Sequence, residues 1–124
     1  MTTTDVRVRT KVARAYLDVA ILVAEEDEAH RQVAAGLASL AAIAAADAIC
    51  GARLGERSAD QDHARAGDLL ATTAPDGTEL ARHFREVIRD KSNAHYGTTY
   101  LTHDRVVVML RRAQHLVDAL DALA

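Results

Sequence analysis

The chain has 124 residues, with 15 Lys/Arg against 18 Asp/Glu for a formal net charge of −3. That length supplies one domain with a real core and not two, and the slight acidity excludes a surface that is basic all over, as for a nucleic-acid coat. A single cysteine, Cys50, excludes an internal disulfide framework and a cysteine-based zinc site.

Apolar residues make up 49%, much of it alanine, and only Tyr16, Phe84, Tyr96 and Tyr100 are aromatic. Alanine is the best helix former, and Pro75 is the one proline, so the composition points to helices. Thr4 or Asp5 is placed to cap a first helix running to about Glu26. Val8, Val12, Tyr16, Val19 and Val23 recur at three- and four-residue steps and mark its buried face, widened by Leu17 and Ile21. The acidic run Glu25–Glu28 reads as a solvated turn, its second half well placed at the next helix start.

A second helix is expected over residues 28–54, with Val33, Leu37, Leu40, Ala44 and Ala48 as its main stripe. Gly36 and the alanines permit tight packing, and Cys50 sits among them as a small buried hydrophobe. Asp47 is the anomaly, because a buried carboxylate is costly unless paired. Either it faces solvent or caps a backbone, or it is partly buried and paired with Arg89, Lys91 or His95; the second is the expectation carried forward.

Ser58 or Asp60 can cap a short third helix, about 60–72, with Ala64, Leu69 and Leu70 inward. Ala74-Pro75-Asp76-Gly77 is a turn, and Thr78 caps a fourth helix that buries Leu80, Phe84, Val87 and Ile88. Gly97 is expected to stop that helix in a left-handed conformation. Thr102 caps the last helix, with Val106, Met109, Leu110, Ala113, Val117 and Leu120 facing the core. Short loops between these segments predict an all-α, up-down four-helix bundle with one additional short helix, residues 1–124 forming a single domain. The N-terminal MTTTDVRVRT lacks the shape of a signal peptide, and no apolar run reaches the ~18–20 residues that span a bilayer, so a cytoplasmic, non-membrane protein is expected.

Arg89-Asp90-Lys91-Ser92-Asn93-Ala94-His95-Tyr96 is the stretch densest in groups able to bind or attack a phosphate. Residues 79–115 around it hold seven Lys/Arg against four Asp/Glu, whereas residues 1–78 hold eight against twelve. Arg89 and His95 would lie about 240° apart on an unbroken helix, so they do not share a face. To act together, the helix must loosen between them, or they must meet through a second subunit. Ser92 and Asn93 compete with the helical backbone for hydrogen bonds and favour such loosening. The plain alternative is that Arg89 and Lys91 complement a helix dipole, His95 is a surface or capping residue, and Tyr96 packs. The six histidines are scattered, no two lie four apart on one helix, and Asp27-x-x-His30 and Asp60-x-x-His63 lack glutamate partners, so no metal site and no cofactor is expected.

Arg89 and His95 with five intervening residues, Asp90 the first of them, and Tyr96 next resemble the signature of the HEPN superfamily. DAICGARLGERS and the downstream DHARAGDLL resemble actinobacterial HEPN-like proteins, and the likeness covers most of the chain. It implies a metal-independent ribonuclease, often a toxin or defence component, whose two motifs face each other across a homodimer. Arg89 would then hold the scissile phosphate, His95 would serve as general acid or base, and Asp90 would orient one of them. Lys91, Asn93 and Tyr96 would contact the RNA, with Asp47 in support. An antitoxin or nucleotidyltransferase-like partner is implied for the toxin role, and a non-catalytic binding or dimerisation module is the alternative.

Overall fold

The computed structural model describes residues 1–58 and 62–123. They form α1 (Thr3–Val23), α2 (Glu28–Leu54), α3 (His63–Ala71), α4 (Gly77–Ile88), α5 (Lys91–Tyr96) and α6 (His103–Asp118), closed by a 3-10 turn over Ala119–Leu123. Among the described residues there is no strand, and the chain is an all-α helical bundle.

The α2 helix starts and stops where local chemistry dictates. Asp27 accepts the His30 N–H as its N-cap. Gly55 ends it at φ +76°, a left-handed conformation that glycine adopts without a Cβ penalty. The other caps differ from expectation. Thr2 rather than Thr4 caps α1, in a reciprocal box with Asp5. Asp62, rather than Ser58, caps α3; Asp60, the other expected cap, lies outside the described residues. The α4 helix starts one residue before Thr78, behind Asp76, and a Cβ on Gly77 would meet the Leu70 carbonyl at 2.5 Å. Thr102 caps α6 as expected.

Around α2 the core is built from small residues. Ala34, Ala35, Ala38, Ala41, Ala42, Ala45 and Ala46 are buried, and α1 meets them with Ala13, Leu17, Ala20 and Ala24. The expected faces were therefore partly misplaced. Val8, Val19, Ile21 and Val33 are exposed and Leu37 and Leu40 are half-buried, while Leu17, Ala44 and Ala48 are buried as expected and Val12, Tyr16 and Val23 pack against the core. The reason is steric: a helix enclosed on most sides turns its smallest side chains to the tightest contacts. The α4 and α6 stripes hold largely as expected, with Leu80, Phe84, Val87, Val106, Met109, Ala113, Val117 and Leu120 buried. Leu116 joins them, Leu110 and Ile88 are half-buried, and Ala64 of α3 is exposed. By length and composition α2 is apolar enough to cross a bilayer, contrary to the sequence expectation, but most of that stretch is buried inside the bundle, as in a core helix.

The segment expected as the end of one long helix is two elements. The α4 helix stops at Ile88 and α5 begins at Lys91, so the break falls at Arg89-Asp90, ahead of Ser92 and Asn93. Arg105 of α6 accounts for it: the guanidinium donates to the Glu86 carbonyl at 2.8 Å and to the Asp90 carboxylate. A tertiary cation thus takes over backbone and side-chain acceptors at the break. Gly97 leaves α5 with φ −69° and ψ 150°, an extended rather than left-handed conformation.

Candidate functional site: a cationic cleft between four elements

The α1–α2 pair is antiparallel about the short turn at residues 24–27, which brings Arg9 level with Asp47. Arg9 Nε lies 3.3 Å and Arg57 Nη1 3.2 Å from Asp47 Oδ2, and the carboxylate side chain is only 12% exposed. Asp47 is therefore partly buried and ion-paired as anticipated, but its partners are Arg9 and Arg57, not the cations of the 89–96 stretch. Burial outweighs the two guanidiniums and pushes its carboxyl above the ordinary carboxylate value.

Asp47 lies in the wall of a cleft of about 540 Å³. Arg9, Arg57, Lys91, His63 and His95 line it, Leu40 and Ile43 supply apolar wall, and Tyr96, 82% exposed, also borders it. Asp47 is the one carboxylate among the described residues that line it. Guanidinium, ammonium and two imidazoles around one partly neutralised acid form a setting suited to an anion.

The two histidines are tuned alike. Burial, followed by the nearby Lys91 charge, lowers the pKa of both His63 and His95 below the usual imidazole value. Both rings are thus neutral at neutral pH, able to accept a proton. Among the described residues, the Nε2 of His63 is buried without a hydrogen-bond partner. His95 Nε2 stands 3.4 Å from Ser39 Oγ, which itself donates to the Gly36 carbonyl at 2.8 Å.

Of the residues singled out in the sequence, Lys91, His95, Tyr96 and Asp47 share this cleft. Arg89 does not line it; its side chain is 61% exposed, with Nη2 3.1 Å from Glu86 Oε2. Asp90 is occupied by Arg105. Asn93 is a structural contact, its carbonyl and side-chain oxygens both accepting from Gln32 of α2. Arg9 and Arg57 were not singled out, and His63 was weighed only as a metal ligand with Asp60 and set aside. The Arg9–Asp47 register follows from folding residues 1–54 about the acidic turn, a signal that was present. His63 carried none, because only the docking of α3 on α2 brings it to residues 30 positions away in the chain.

Cys50 is buried and its thiol is pushed up to about 11 by burial and by Asp47, so it is an unreactive packing residue at neutral pH. No family model, no curated protein and no solved structure matches the chain.

Proposed function

We propose that the chain is a metal-independent ribonuclease of HEPN type, acting in the cytoplasm as a toxin or defence component. The observation that carries this reading is the convergence of His63, His95 and Lys91 with Arg9 and Arg57 on one cleft. One neutral imidazole takes the proton from the ribose 2′-hydroxyl as O2′ bonds to phosphorus. The other, reacting from its protonated imidazolium fraction, donates a proton to the leaving 5′-oxygen as the P–O5′ bond breaks, leaving a 2′,3′-cyclic phosphate. Lys91 and the two arginines hold the charge that builds on the phosphate oxygens. Tyr96 offers an exposed ring on which a base can stack. Arg89, outside its own cleft, serves a partner's phosphate in a homodimer, and an antitoxin or nucleotidyltransferase-like protein restrains the site.

The second reading, a non-catalytic binding or dimerisation module of the same fold, draws support from His95, whose Nε2 is turned toward Ser39 and the α2 backbone rather than into open solvent. The experiment that separates them is an RNA oligonucleotide incubated with purified protein in EDTA. Binding with release of 2′,3′-cyclic ends supports the enzyme, and binding without cleavage supports the module.

A further inference from the structure

We propose that Glu79, His83 and His115 form a binding site for a late first-row divalent cation, with zinc as its representative. The site lies between α4 and α6, and none of its residues lines the cationic cleft.

The spacing Glu79-x-x-x-His83 puts both side chains on one face of α4. His115 reaches the same place from α6. One ligand atom from each lies within 4.8 Å of the others, and His83 Nε2 is 3.7 Å from Glu79 Oε1. Ligand atoms around a tetrahedral zinc stand about 3.4 Å apart. Closing the set takes shifts of about 1 Å and a turn of the His115 ring out of its stack on His83, so that the two in-plane lone pairs converge, and both movements fall on the exposed Glu79 and His115.

His83 is the second and independent observation. Its side chain is only 8% exposed, and its Nε2 is buried with no hydrogen-bond partner while facing Glu79. Such a nitrogen is rarely left idle. Its ring stacks on His115 with centroids 4.2 Å apart and planes 15° from parallel. Two imidazoles and a carboxylate are a zinc-type donor set with room for water in the remaining position.

Arg112 Nη1 sits 3.0 Å from His83 Nδ1. A guanidinium only donates, so in this arrangement Nδ1 accepts and the ring proton resides on Nε2. On binding, the metal takes the Nε2 lone pair, the proton moves to Nδ1, and Arg112 gives up its bond. Arg112 is therefore a brake on affinity, not a ligand.

The test is equilibrium dialysis of tag-free protein against zinc, with bound metal counted per chain. Wild type takes up one zinc. His115→Ala and Glu79→Gln, both at exposed positions, bind at least about tenfold more weakly. His95→Ala, in the other cleft, binds like wild type. Arg112→Gln binds more tightly, because an amide oxygen can accept the Nδ1 proton. No uptake by wild type overturns the site, and so do equal affinity in His115→Ala and Glu79→Gln, loss in His95→Ala, or weaker binding in Arg112→Gln.

Discussion

Gln32 Nε2 donates to both the backbone carbonyl and the side-chain oxygen of Asn93, at 2.8 and 3.0 Å. The same side chain accepts the Leu101 N–H at 3.0 Å through Oε1. One residue of α2 thus ties down α5, which carries His95, and the loop that leads into α6. Gln32→Ala leaves part-buried groups of residues 93 and 101 unpaired, and we expect a loss of about 1–3 kcal/mol in urea unfolding. Amide exchange at Leu101 should accelerate with it. An unchanged Leu101 exchange rate would show that the clasp does not hold the segment.

Asp47 limits the positive field of the cleft. Replacing it by Asn removes a lining carboxylate while keeping the shape and an acceptor for Arg9 and Arg57. Fluorescence anisotropy with a short single-stranded RNA should report tighter binding by Asp47→Asn, most clearly at low salt. Weaker binding would mean that Asp47 contacts the ligand or holds the arginines in place.

The imidazoles should titrate in a defined order. His63, His83 and His95 are lowered from the usual value by burial, whereas His30 is raised by its hydrogen bond to Asp27. Ring resonances followed by NMR should show His30 protonating before His63, His83 and His95 as the pH falls. For the three lowered rings the unfolded chain binds more protons than the folded one once the pH drops below about 6.5. Their effect is a stability that declines as pH falls from there toward the folded values, and is undiminished above it. A ring of His63 or His95 that titrates above His30 contradicts the neutral-imidazole cleft.

Arg105 and Arg89 should behave very differently when truncated. Arg105→Ala frees the Asp90 carboxylate and the Glu86 carbonyl at the α4–α5 break and should cost about 1–3 kcal/mol. Arg89→Ala removes only an exposed contact to Glu86 and should stay within about 0.5 kcal/mol of wild type. Light scattering coupled to size exclusion decides whether Arg89 has a role across two chains. Twice the 13.4 kDa chain mass is expected, and a monomer at micromolar concentration removes Arg89 from the site.

What the sequence revealed follows from where the information sits. The α2 bounds were legible because Asp27 and Gly55 bracket a long helix-forming run. The α4 and α6 faces were legible because their apolar residues alternate with charges at helical spacing. The α1 face was legible in part: Leu17 is buried and Val12, Tyr16 and Val23 pack on the core, but Val8, Val19 and Ile21 continue the apolar pattern onto the exposed side, and Ala13 and Ala20 are chosen only by the alanine surface of α2. The break at Arg89-Asp90 is imposed by Arg105, a tertiary contact with no local trace. Lys91, His95, Tyr96 and Asp47 were recognised from their own surroundings. Their companions Arg9, Arg57 and His63 come from other helices and loops, so no linear spacing joins them.

The central claim is that this cleft cuts RNA through His95 and His63. The most direct measurement is cleavage of one mixed RNA pool in EDTA by wild type, His95→Ala and His63→Ala purified side by side. Loss of one acid–base group should slow cleavage by about 10²–10⁴ in each variant while the helical circular dichroism spectrum is kept. Equal cleavage by all three, or none by wild type, would contradict it.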